Sequence, residues 1–318
     1  MPFLRLRRRG GWDNRLSMAE KRRTVRWWHI LLAVVVLLAG GVAFAWQRLS
    51  QPLPESILPA NYRPDVKNGE RMYFAGGCIS CHRGIGPFVE LPSGGRKLKI
   101  PGGEIVPPNI TPDAQTGIGK WRPIDFVNAM RRGLGPDGTH YIPAFPYPSY
   151  AWMRTEDILD LFAYLKTLKP VRNEVPLKQA RLDRFALAFW KWLALPPHPF
   201  RDVPGKSALW NRGAYLVVGP GHCGECHTPR NGIFLLDRNR WLAGAPLLAE
   251  KGNAPSLRGL KRRQRYKDVN DLMQALKYGE AMGHEDLSAG GMGEVQSNLS
   301  KLPDEDLKAI ATYLMSLE

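Results

Sequence analysis

Cys78-Ile79-Ser80-Cys81-His82 and Cys223-Gly224-Glu225-Cys226-His227 hold all four cysteines of a 318-residue chain. Both stretches read C-x-x-C-H, the pattern of c-type haem attachment. Two thiols one helical turn apart add across the two vinyl groups of one porphyrin, and the adjoining imidazole turns beneath the ring to bind the iron. Zinc sites, redox-active dithiols and plain disulfides also use paired cysteines. None of them calls for a histidine directly after the pair. With 7 His in 318 residues, such a neighbour arising twice by chance is rarer than about one in a thousand. The residues thus point to two covalently bound haem c groups, attached through Cys78, Cys81, Cys223 and Cys226, with His82 and His227 as iron ligands.

Outward from these motifs the chain repeats itself. A short helical stretch precedes each motif, NGERMYFAGGC from Asn68 and NRGAYLVVGPGHC from Asn211. After each come a proline-bearing loop (Pro107-Pro108-Asn109-Ile110; Ala254-Pro255-Ser256-Leu257) and a helix ending in glycine (DFVNAMRRG to Gly133; DLMQALKYG to Gly279). Each copy closes on an acid-started amphipathic helix, TEDILDLFAYLKTL from Thr155 and DEDLKAIATYLMSL from Asp304. Gly69 and Gly213 in the opening helices suit a close crossing against Tyr164 and Tyr313 in the closing ones, or serve as turn glycines. The expected fold is mainly α, with two tandem domains at 66–172 and 207–318, each with its own core. A linker at 173–206 carries an amphipathic helix (FALAFWKWLAL, 185–195), docked on the protein or lying at an interface.

The N-terminal part differs in kind. Residues 1–26 carry nine basic and two acidic side chains, so +7 of the net +16 sits in this leader. Residues 27–46, WWHILLAVVVLLAGGVAFAW, hold no Lys, Arg, Asp or Glu, and about 20 apolar residues cross a bilayer. Positive-inside logic puts the basic leader in the cytoplasm and everything after residue 47, beginning with a linker at 47–65, outside. Ala43-Phe44-Ala45 offers the competing reading of a cleaved secretory signal. Either way the body is exported. Hydrophobic residues at 44%, charged residues at 23%, 27 Pro and 32 Gly describe a loop-rich globular body and exclude disorder or a coiled coil. No basic helix interleaved with aromatics suggests a nucleic-acid partner.

The stretches GGCISCH, PPNITPDAQTGIGKW, DGTHYIPAFPYPSYAWMRTEDI, NRGAYLVVGPGHCGECHTPRNG and GGMGEV…LPDEDLKAIATYL resemble a membrane-anchored bacterial dihaem cytochrome c. They are similar to the first two haem domains of the cytochrome c subunits of periplasmic alcohol and gluconate dehydrogenases. The resemblance covers about residues 66–318. It implies class I cytochrome c domains, a single-pass inner-membrane protein with its haems in the periplasm, a dehydrogenase subunit as electron donor, and a quinone, oxidase or soluble cytochrome as acceptor. Those subunits commonly carry three haems, whereas two motifs occur here.

A thioether opposite the histidine would complete each iron. In the second half the family loop places Met292 there, with Met282 as a neighbouring competitor. In the first half Phe145 stands where the methionine is expected, and phenylalanine cannot ligate iron. Met130, aligned with Leu276, is the leading substitute. Met153, aligned with Leu302, and His140 are the others, and an iron without a sixth protein ligand is the last option. That last option opens a second function class, a haem enzyme acting on peroxide or a sulfur oxyanion at the first iron, rather than an electron-transfer subunit. The basic run Arg258, Lys261, Arg262, Arg263 and Arg265 suits an acidic partner or is simply a solvated loop.

Overall fold

The computed structural model describes residues 13–175, 184–248, 251–279 and 291–318. Arg5, Arg7, Arg8, Arg9 and Met282 lie outside the described residues. Two compact units result, Met1–Arg48 and Leu49–Glu318. The first is helix α1 (Asp13–Ser50). Its stretch Arg26–Gln47 is, among the described residues, the one helix long and apolar enough to cross a membrane. The helix starts inside the basic leader because no Pro or Gly interrupts residues 13–26.

The second unit is mainly helical. Its first half holds α2 (Val66–Ala75), α3 (Cys78–His82), α4 (Pro123–Arg132), α5 (Tyr147–Tyr150) and α6 (Thr155–Thr167). A small antiparallel pair, β1 (Leu98–Ile100) and β2 (Gly103–Ile105), sits between α3 and α4 with Leu98 opposite Ile105. After the connecting helix α7 (Arg184–Ala194), the second half holds α8 (Ala208–Val218), α9 (Gly224–His227), α10 (Val269–Tyr278), α11 (Met292–Leu299) and α12 (Asp304–Met315). Strands β3 (Ala245–Pro246) and β4 (Asn253–Ala254) pair between α9 and α10. Side-chain oxygens start several helices by accepting free N–H groups: Asp65 from Lys67 and Asn68, Ser207 from Trp210, and Asp268 from Asn270 and Asp271. Helices α4 and α10 both stop on a left-handed glycine, Gly133 and Gly279.

In each half the opening helix crosses the closing helix at a glycine, α2 on α6 and α8 on α12. A Cβ on Gly69 would lie 2.0 Å from the Asp160 carbonyl oxygen and 2.8 Å from Tyr164 Cβ; one on Gly213 would lie 1.9 Å from the Ala309 carbonyl oxygen and 3.0 Å from Tyr313 Cβ. Only a residue without Cβ permits that approach. The residue before each glycine latches the crossing. Asn68 Nδ2 donates to Asp157 (2.6 Å) and Asp160 (2.7 Å), and Arg212 makes a forked pair with Asp306 (2.8 and 3.0 Å).

The two halves do not keep separate cores, as the sequence reading expects. One buried cluster runs from Met72, Val127 and Leu161 to Tyr215, Leu242 and Leu307. The joint is specific. Tyr215 of α8, fully buried, donates its hydroxyl to Asp157 of α6, and Met153 packs against Gly219 at the end of α8. Burying a side chain of this size contributes about 1.5–3 kcal/mol, which separating the halves would give up.

Candidate functional site

Each C-x-x-C-H segment forms a short helical turn soon after the opening helix, Cys78–His82 after α2 and Gly224–His227 after α8. His82 Nδ1 lies 2.7 Å from the Pro108 carbonyl oxygen, and His227 Nδ1 lies 2.7 Å from that of Pro255. A carbonyl can only accept, so Nδ1 carries the proton and Nε2 keeps its lone pair for a metal. Burial holds both imidazoles below their ordinary pKa, which keeps them neutral and able to ligate. Both carbonyls come from the proline-bearing loops that repeat in the sequence. The repeat is legible there, but not its purpose.

Cys78, Cys81 and Cys223 are free thiols. Protein atoms crowd Cys78 and Cys223, half-buried by surface, and push both thiols up to about 12. Cys81 is raised as well. Such groups are thiols rather than thiolates at pH 7. No cluster of three or more His, Cys, Asp or Glu suited to a metal ion occurs among the described residues. One buried polar atom next to the first motif, Arg83 Nε, has no hydrogen-bond partner within the chain. Paired thiols, a lone-pair-bearing Nε2 and a buried guanidinium nitrogen beside them match a porphyrin with anionic propionates. The residues present therefore fit haem c.

The two motifs meet across a seam that the sequence does not reveal. The Gly76 carbonyl, two residues ahead of Cys78, receives the Tyr150 hydroxyl (3.3 Å) and His222 Nε2 (3.2 Å), the latter one residue ahead of Cys223. Tyr150 and His222 stack edge to face at 5.6 Å. Asn298 of α11 donates to Ser80 Oγ (2.9 Å), and Arg96 joins the Ser80 carbonyl (2.6 Å) to the Glu294 carboxylate (2.7 Å). Ser149 donates to Glu225, which also pairs with Arg230. Residues inside both motifs, Ser80 and Glu225, thus hold partners from the opposite half.

The far sides of the two sites differ. Met292 is the first residue of α11, after Gly291 at φ 82, and is half-buried. The sequence reading placed it in a loop. In the first half Phe145 joins an aromatic group with Tyr141, Tyr147 and Tyr150 at ring distances of 6.1, 6.5 and 5.4 Å. Met130 and Met153 are both buried. Phe126, one turn before Met130, stacks on Phe162 of α6 at 5.0 Å. His140 is tied differently: Lys191 Nζ lies 3.0 Å from its Nδ1. In the basic run all five side chains are exposed, and Arg258 and Arg263 also bond to the Glu318, Ser256 and Arg258 carbonyls.

A family model for cytochrome c matches residues 66–169. The chain is 42% identical to a diheme cytochrome c-type protein of Cereibacter sphaeroides over 88% of its own length and 94% of that relative. The chain belongs to the cytochrome c family. It carries covalent haem c, and its class of work is electron transfer. Other relatives of this cytochrome are the fructose dehydrogenase cytochrome subunit of Gluconobacter japonicus (35% identical, 90% of this chain) and the gluconate 2-dehydrogenase cytochrome c subunit of Pantoea cypripedii (36%, 79%). It spans 58% and 59% of their lengths.

Proposed function

We propose that this cytochrome is a dihaem electron carrier, held in the bacterial inner membrane by residues 27–46, with haem domains at 66–172 and 207–318 in the periplasm. It takes electrons from a dehydrogenase subunit and passes them to a quinone, an oxidase or a soluble cytochrome. The observation that carries this reading is the pair of motifs, each with its histidine locked to a proline carbonyl, packed against each other across one seam. Relatives named as cytochrome subunits of dehydrogenases support the donor.

Haem c, when bound, supplies a one-electron iron couple. Cys78 and Cys81 fix one macrocycle, and Cys223 and Cys226 the other. Pro108 and Pro255 orient His82 and His227 and raise their donor strength. Met292 supplies the sixth ligand in the second half and Met130 in the first. The exposed Lys261, Arg262 and Arg265 attract an acidic partner.

Replacing Cys78 and Cys81 together by Ala should lower covalent haem from two to one per chain, read by pyridine haemochrome assay; zero or two would contradict the assignment. Reduction of the purified holoprotein by a periplasmic dehydrogenase, followed by reoxidation with an acceptor, tests the function itself. A second reading, a haem enzyme acting on peroxide or a sulfur oxyanion, rests on Phe145 holding the methionine's place. Carbon monoxide binding to one of the two reduced haems of the unmodified protein would favour it.

A further inference from the structure

Helix α7 is amphipathic the wrong way round for a helix facing water. Its inner face buries Leu187, Ala188 and Lys191, while Phe189, Trp192 and Leu193 are 49%, 60% and 41% exposed. The one charge among its described side chains is thus hidden, and its aromatics are shown. Lys191 Nζ donates to the Arg132 and Gly133 carbonyls at the end of α4 (2.7 and 2.9 Å) and lies 4.8 Å from the centre of the Tyr147 ring. Burial brings this ammonium down to about 7. The helix is also pinned to the second half, where Trp190 Nε1 donates to the Ile233 carbonyl (2.8 Å). Ile233 and Phe234 are themselves 53% and 52% exposed, so α7 is fastened beside two further exposed apolar side chains.

The chain path says what covers this patch. Arg132, whose carbonyl Lys191 caps, donates through its side chain to the Gln51 carbonyl (3.4 Å), and Leu53 N donates to Asn128 Oδ1 (2.7 Å) on the same helix. The first residues after the apolar span are therefore fastened to the end of α4 that also holds α7. The span ends at Gln47, and the four residues from there to Gln51 reach at most about 14 Å. With residues 27–46 held in a bilayer, the chain length alone tethers this end of the haem unit within about 14 Å of the end of the span. We propose that Phe189, Trp192, Leu193, Ile233 and Phe234 rest on the lipid bilayer that holds α1. Amphipathic aromatic rings favour that interface, and contact there would fix the orientation of the haem unit as well as its distance. The proposal rests on residues 27–46 being a retained anchor.

The test uses the full-length holoprotein in phosphatidylethanolamine–phosphatidylglycerol vesicles, with a photoreactive benzoylphenylalanine replacing Trp192 or, as a control, the equally exposed Ile85. After a high-salt wash and illumination, the probe at 192 should form severalfold more lipid adduct than the probe at 85. Phe189→Glu with Trp192→Glu, both at exposed positions, should cut the adduct of a probe at Leu193 severalfold while the haem spectrum and vesicle retention persist. Equal adducts at 192 and 85, or a protein adduct at 192, in a chain that stays on the vesicles would overturn the patch proposal. Loss of the chain in the salt wash would instead sink the anchor reading on which it depends.

Discussion

The near sides of the two haem sites are copies, and the far sides are not. On the near side each half has the same helical turn, the same histidine-to-proline-carbonyl bond of 2.7 Å and the same glycine crossing. On the far side the second half offers Met292 at a helix start, whereas the first offers an aromatic cluster around Phe145 with a buried lysine behind it. The difference separates two jobs. Holding a macrocycle requires fixed covalent geometry, which leaves little freedom to vary. Setting the iron's potential and openness depends on the sixth ligand and its surroundings, and two haems in series gain from being unlike.

The crossings are where the halves should respond most strongly and most alike. Gly69→Ala and Gly213→Ala each drive a Cβ into a backbone carbonyl oxygen, at 2.0 and 1.9 Å, and the helices must part. Each should cost about 3 kcal/mol or more, measured by denaturant unfolding of the holoprotein. Because one core joins the halves, both variants should unfold in a single transition. Two separate transitions would show that the halves are independent despite the shared cluster.

The sixth ligands should respond less in stability, each at the haem of its own half. Met292→Leu and Met130→Leu keep volume and should cost under about 1.5 kcal/mol. Met292→Leu should abolish the weak red band of methionine-bound ferric iron at the second haem, lower its potential and admit carbon monoxide. Met130→Leu should do the same at the first haem. If Met153→Leu opens the first site and Met130→Leu leaves it unchanged, the ligand is Met153. If neither acts, the first iron is open and the far sides differ even more than proposed.

What could be read from the sequence follows from how local each feature is. The motif, the capped closing helices and Gly69 and Gly213 announce themselves because their cause lies within a few residues or in a repeat. The seam does not: Ser80 meets Asn298 at a separation of 218 residues, and Arg96 meets Glu294 at 198. Neither partner differs in composition from a solvated residue. Residues 185–195 were recognisable as an amphipathic helix. That its lysine points inward depends on the bare carbonyls at the end of α4, which no local pattern records.

The smallest expected effect tests whether the unlike far sides are nonetheless mechanically joined. Glu294 lies two residues after Met292 in the first turn of α11, where a carboxylate is favoured by the helix dipole. Arg96 holds that carboxylate and, with the same nitrogen, the carbonyl of Ser80 inside the first motif. The methionine proposed for one haem therefore starts a helix that is docked on the attachment turn of the other. Arg96→Gln should cost under about 1 kcal/mol, since the pair is partly solvated. It should also weaken the red band and lower the potential of the second haem, leaving the first unchanged. Glu294→Gln should give the same signature, because it breaks the same contact from the other end. A change at the first haem alone would mean that Arg96 serves its own motif, and no change at either would mean that α11 finds its place without help from the other half.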